Sequence, residues 1–253
     1  MKKTADITVI IPCRNYEHTL PTTLITLNNQ FLSPKRIIVV DDGGKNPDLC
    51  KNICESHGAE YYRNDNWDGE NTPRQPLQIG IDVLKKNPTE FFIVCGADAY
   101  WLPNKLYQEY NEIIKSKQIG VVYSNFIVSE QNFTKQKVGI KKFTKDIFPD
   151  GKVYDIDPKW LLESCIVTDN SLTRFEALKN INFELRKGVH RNFMWDLWLN
   201  ISDSYKIKFI NTFGSMYWKH EDNISSKWNY NSEEFKNLRQ VVVNSAKKRK
   251  GIK

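Results

Sequence analysis

The first half of the chain alternates short apolar runs with longer stretches whose apolar residues recur at helical spacing. Ile7 to Ile11 is a β-branched run closed by Pro12, and Thr19 to Gln30 carries Leu20, Leu24 and Leu27 on one helical face. Ile37 to Val40 is a second run, ending in Asp41-Asp42-Gly43-Gly44; Pro47 to His57 then reads as a helix and Ala59 to Tyr62 as a short third strand. A helix from about Pro73 to Lys86 precedes a further run, Phe91 to Cys95. The pattern predicts a β-α-β-α-β-α-β series. Strands apolar at every position and separated by helices call for a parallel sheet covered on both faces, the α/β class.

The second half is less periodic. From Asn125 to Pro158 the chain is polar, spotted with aromatics and without a clean period, which predicts an insertion built as a hairpin or a mobile loop. From Ser232 onward, Phe235, Leu238 and Val242 form a stripe opposite Lys236 and Arg239, predicting an amphipathic helix that ends in Lys247-Lys248-Arg249-Lys250.

Length and composition narrow the class. With 253 residues, 40% hydrophobic and 26% charged, the chain suits one large domain or a domain with a modest appendage and disfavours a disordered, collagenous or coiled-coil protein. No apolar run is long enough to span a bilayer, and the opening Met-Lys-Lys-Thr-Ala-Asp turns polar before a secretory segment forms. The expectation is a cytoplasmic protein. Five cysteines, an odd number scattered along the chain, fit reduced thiols rather than a disulfide framework. Cys50 and Cys54 lie one helical turn apart with no partner pair at zinc-site spacing, so they read as buried helix-face residues.

Net charge is +7, and the seven basic residues between Lys236 and Lys253, with no acid among them, equal the whole excess. The tail from Lys247 to Lys250 therefore offers contact with an anionic surface, a peripheral membrane or a nucleic acid. A solvated helix end, whose cations suit the helix dipole, is the competing reading.

Ligands of such sheets bind beyond the carboxyl ends of the strands. The residues there are Pro12-Cys13-Arg14-Asn15, Asp41-Asp42-Gly43-Gly44 and Gly96-Ala97-Asp98. Paired carboxylates followed by glycines offer acceptors to a sugar or a base edge, and an isolated carboxylate can hold a hard cation. There is no Gly-x-Gly-x-x-Gly and no Walker loop, which counts against dinucleotide and P-loop chemistry.

Thr8 to Asn15, Ile38 to Gly44 and Gly96 to Leu106, taken in order, resemble the family 2 type of GT-A nucleotide-sugar glycosyltransferase. The resemblance is good over about residues 5 to 125 and looser over 165 to 225. It implies a Rossmann-like, mostly parallel central sheet flanked by helices. One domain would cover 1–230, with a nucleotide-sugar half (1–125) and an acceptor-binding half (126–230), followed by the C-terminal helix and basic tail (231–253).

By resemblance, Pro12, Arg14, Asn15, Asp41, Asp42, Arg74, Ala97 and Asp98 bind the nucleotide sugar, with Asp42 at the base and Arg74 near the nucleotide. Relatives carry two or three carboxylates in the metal motif, whereas this chain keeps Asp98 alone in Gly96-Ala97-Asp98-Ala99. Asp98 and His220, the latter in Tyr217 to Ser225, are the implied ligands of a divalent cation, Mn2+ or Mg2+; Lys219 is a further source of positive charge. The general base sits in a Glu-Asp-Trp-Asp-Leu-Trp-Leu segment in relatives. Here the segment is Phe193-Met194-Trp195-Asp196-Leu197-Trp198-Leu199, which puts Met194 on the catalytic aspartate. Asp196 is the expected base, with Asp169 and Glu184 as competitors.

The implied reaction is transfer of a sugar from a nucleoside diphosphate donor to an acceptor hydroxyl, metal-assisted and inverting, with a glycan or glycolipid as acceptor. Two alternatives stay open. One is glycosylation of hydroxymethylated bases in DNA, suited to the tail cations and aromatic content. The other is a nucleotide-sugar-binding homologue that has lost catalysis, suggested by the thinned metal motif and Met194.

Overall fold

The computed structural model describes residues 3–69, 72–129, 150–179, 192–218, 223 and 231–252. Its first half follows the apolar pattern: β1 (Lys3–Cys13), α1 (Leu20–Asn28), β2 (Leu32–Asp41), α2 (Pro47–Ser56), β3 (Glu60–Arg63), α3 (Arg74–Lys86) and β4 (Phe91–Val94). These strands lie in the order β3-β2-β1-β4, parallel throughout. Alternate residues of β1 feed opposite faces, as a period of two requires. Ile7, Val9 and Ile11 pack with α1 and α2, whereas Ile10 packs with Leu77, Ile81 and Leu84 of α3.

Pro12 does not close β1, as the sequence suggests, but lies within it, opposite Val40. Pairing with β4 ends at Ile10 and Val94, so beyond that point β1 has a neighbour on one side only. A residue without an N–H is tolerated there.

The sheet continues through β8 (Leu172–Arg174), β6 (Ile119–Ser129), β9 (Lys206–Trp218) and β5 (Ala99–Trp101), with β7 (Val153–Asp155) paired to β9. Here β8 is antiparallel to both β4 and β6, while β9 runs parallel to β6 and antiparallel to β5 and β7. Asn125–Ser129, expected to open the insertion, instead continue β6 along β9, and β7 lies in its other described stretch; residues 130–149 lie outside the described set. α4 (Lys105–Ile113) backs this half, and α5 (Pro158–Glu163), α6 (Phe193–Ile201) and α7 (Glu233–Arg249) cluster together. α6 buries residues around nearly its whole circumference, as a helix packed on several sides does.

α7 starts where the sequence places it. The Ser232 hydroxyl caps the Phe235 N–H at 3.2 Å, Glu233 and Glu234 occupy the first turn, and Lys247, Lys248 and Arg249 the last. Its buried stripe is Phe235, Val242 and Ala246. The basic end is docked: Arg249 and Lys250 both pair with Asp203. No helix among the described residues is long and apolar enough to cross a membrane. All five cysteines are unpaired, and Cys50 and Cys54 are buried on α2.

Candidate functional site

The carboxyl ends of β1, β2 and β4 open onto a cleft of about 350 Å³. Pro12, Cys13 and Arg14 line it from β1, Asp42 from the turn after β2, and Gly96, Ala97 and Asp98 from the turn after β4. Asp169, Phe193, Met194, Tyr217 and Asn223 face them from the second half of the chain.

Each carboxylate is set by its own local structure. Asp42 is buried and accepts a 2.7 Å hydrogen bond from Asn64 Nδ2. Burial raises its carboxyl above the usual range; the Asn64 amide and the Arg14 guanidinium act in the opposite direction. Arg14 itself lies over the Trp67 ring, 3.3 Å from the centroid.

Asp98 is held by the backbone beneath it. Thr19, just ahead of α1, and Thr23 within it both donate to the Ala97 carbonyl at 2.9 Å, and Thr23 also reaches the Ala99 carbonyl. Asn223 donates to Asp98 Oδ2 at 2.8 Å. A Cβ on Gly96 would stand 2.6 Å from Asp98 Oδ1, so glycine at that position keeps the carboxylate in place.

Asp169 differs from both. It is exposed to the cleft, and among the described residues no hydrogen-bond donor or cation pairs with it. The protein around the cleft disfavours its charge and pushes the carboxyl up to about 6.

Of the residues expected from the sequence, Pro12, Arg14, Asp42, Ala97 and Asp98 meet in the cleft. Asn15, Asp41 and Arg74 brace its rim instead. Asn15, at φ 60°, accepts from the Lys45 N–H at 2.8 Å and so ties the β1 loop to the β2 loop. Asp41 is buried and accepts from the Gly44 N–H, the Tyr61 hydroxyl and Arg63. Arg74, first residue of α3, pairs with Asp68. His220, Lys219 and Glu184 lie outside the described residues.

Asp196 is not among the residues that line the cleft. Met194 lines the cleft, and Asp196 lies two positions further along α6, turned roughly 200° from it. It is buried, and Asn200 Nδ2 bonds both to its carboxylate, at 3.3 Å, and to its carbonyl. Sequence reasoning missed Trp67, Asn64 and Asn223, which sit in irregular segments, where no period points to a face.

Among the described residues no three potential ligands cluster tightly enough to hold a metal ion by themselves. The donor set does fit a hard cation bound through one carboxylate, because Mg2+ and Mn2+ keep several waters and take further oxygens from phosphates.

Residues 8–181 match the family model for glycosyl transferase family 2. The chain belongs to that family. Its architecture is that of solved GT-A glycosyltransferases. The S. aureus TarS fragment 1-349 in complex with UDP-GlcNAc matches with TM-score 0.66 at 16% identity, covering 93% of this chain and 65% of that one. Glucosyl-3-phosphoglycerate synthase from Mycobacterium tuberculosis, in complex with Mn2+, UDP and phosphoglyceric acid, matches with TM-score 0.58 at 14% identity, covering 98% of this chain and 79% of that one. The family 2 chain thus spans about 65% of the TarS fragment's length. No curated protein matches its sequence.

Proposed function

We propose that this family 2 chain transfers a sugar from a nucleoside diphosphate donor, a UDP-sugar first among them, to an acceptor hydroxyl with inversion. The observation that carries the reading is the convergence of Asp42, Asp98 and Asp169 on one cleft from three separate parts of the chain. The solved relatives that hold UDP or UDP-GlcNAc support the choice of donor.

Asp42, kept in place by Asn64, accepts from the edge of the base, and the paired Arg14 and Trp67 flank the nucleotide. Asp98 lies where the diphosphate would run, and the start of α3 adds Thr72 and Pro73 to the same wall. A divalent cation at Asp98 would neutralise charge developing on the leaving diphosphate. His220 remains its second proposed ligand. Asp169 replaces Asp196 as the proposed general base. It faces the cleft, holds no competing partner among the described residues, and has its carboxyl raised to about 6. It takes the proton of the acceptor hydroxyl as that oxygen attacks the anomeric carbon and the diphosphate departs.

The glycan or glycolipid acceptor stays within this proposal. Contact of the tail with DNA or a membrane loses support, because Arg249 and Lys250 are engaged by Asp203. The test is release of nucleoside diphosphate from a panel of nucleotide sugars with Mn2+, with and without added hydroxyl acceptors. Acceptor-stimulated release supports transfer. Donor binding without turnover on any acceptor marks a homologue that binds but does not catalyse, and absence of donor binding rejects the reading.

A further inference from the structure

A second cavity, of about 370 Å³, adjoins the donor cleft and shares Pro73, Asp169, Phe193 and Met194 with it. Its remaining wall comes from Ser164 and Cys165 after α5, from Asn192 and Trp195 at the start of α6, and from Phe235 and Arg239 of α7. Two of these residues present donors without matching acceptors. Asn192 is 8% exposed and caps no N–H of α6, and its Nδ2 is buried with no hydrogen-bond partner among the described residues. Arg239 has no carboxylate partner among the described residues. Its contacts are the Trp195 ring, 5.3 Å away, and a long 3.4 Å hydrogen bond to the Glu163 carbonyl.

A buried amide donor left unmade costs free energy, and a guanidinium lining the same cavity, as well as the neighbouring one toward Glu163, needs an acceptor with charge. A cavity wall with donors in surplus is built for an oxyanion. Asp169, on the wall shared with the donor cleft, repels an anion and accepts from a hydroxyl. The cavity therefore has a polarity, with a hydroxyl-accepting end at the donor cleft and an anion-accepting end at α7.

We propose that this cavity is the acceptor subsite and that the acceptor is a hydroxyl compound bearing a phosphate or carboxylate, held by Arg239 and Asn192 with its hydroxyl directed to Asp169. The proposal deepens the transferase reading and rests on it for the word acceptor; binding of the anion can be read independently. Arg239 and Asn192 act in positioning and recognition, and the basic C-terminal helix acquires a role inside the site.

Calorimetric titration of the full chain with glycerol 3-phosphate, glycerate and glycerol, each with and without saturating UDP and Mn2+, tests it. At least one of the anions binds to the wild type with UDP present, and glycerol does not. Arg239→Met weakens that binding by about tenfold or more while UDP affinity stays within twofold, and Arg239→Lys recovers part of the loss. Asn192→Ala weakens the same anion, which covers the case of a misfolded Arg239→Met chain. Equal binding of glycerol and its anionic analogues, absence of anion binding, or anion binding indifferent to both Arg239 and Asn192 overturns the proposal. If UDP fails to bind while the anion binds through Arg239, the transferase reading fails and the anion site stands.

Discussion

In the proposed transfer, Met194 and Asp169 together decide where the acceptor proton goes. An aliphatic thioether at the cleft wall supplies no base, and the carboxylate two residues along α6 faces elsewhere, bonded to Asn200. Asp169 is the carboxylate at that end of the cleft. Its carboxyl, exposed in the cleft, is raised from the ordinary range to about 6 by the desolvating protein around it, so the basic form is lost as pH falls through that value and complete above it. The other charges around it are Asp42, Asp98 and Arg14 in the cleft and Arg239 in the adjoining cavity, with the Cys165 thiol beside it. The rate kcat/KM should rise with pH through about 6 and then level. Asp169→Asn should lower kcat by about 10²-fold or more, the usual contribution of a positioned base, and remove that rise, with donor KM little changed. Asp196→Asn should leave kcat within a fewfold of wild type. Steady-state profiles of the two variants decide between them, and a collapse in Asp196→Asn alone would restore the sequence-based choice.

At the scale of elements, the donor side depends on close packing beneath its loops. Lys105 and Glu109, one turn apart on α4, are fully buried as an ion pair, with Ser124 of β6 donating to Glu109 at 2.7 Å. Burial lowers the Lys105 pKa and raises that of Glu109, so each charge depends on the other. Lys105→Ala should cost about 3–5 kcal/mol by urea denaturation, whereas Lys105→Met with Glu109→Leu should recover most of that loss. On the other face, a Cβ on Gly80 of α3 would stand 2.3 Å from Ile10 Cγ2, in a core with no room to yield. Gly80→Ala gains up to about 1 kcal/mol of helix propensity and loses about 1–3 to overpacking, so a net loss in melting temperature is expected.

The elements on the donor side were legible in the sequence because strands buried on both faces and capped by Pro, Gly and Asp leave few other readings. The path of the sheet beyond β4 was not legible. β5 and β8 are three residues each, too short to show a period, and β9 takes partners from three separate parts of the chain. The same limit left Asp169 a second choice behind Asp196. It lies in the irregular segment ahead of β8, where only tertiary packing turns it into the cleft.

For the whole molecule, the claim is that three strand-end turns and a return from the second half build one nucleotide-diphosphate site. The register supports this from an independent direction. Ala99 pairs with Tyr217, so the end of β9 lies beside the turn that carries Asp98, and Asn223 then reaches the Asp98 carboxylate. The basic tail sits at the far end of α7, anchored on Asp203, while Arg239, earlier on the same helix, lines the cavity next to the site and a second one toward Glu163. The charge excess thus divides between a docked helix end and the wall of the proposed acceptor cavity.

The most direct test of the central claim is the melting temperature of wild type, Asp42→Ala and Asp98→Asn with UDP, in the presence and absence of Mn2+. A ligand at 100 times its dissociation constant adds about 2.7 kcal/mol, a shift that is readily read. Wild type should be stabilised by UDP, and more so with Mn2+; Asp42→Ala should lose the UDP effect, and Asp98→Asn should lose the Mn2+ increment alone. UDP stabilisation that is unchanged in both variants would contradict the account.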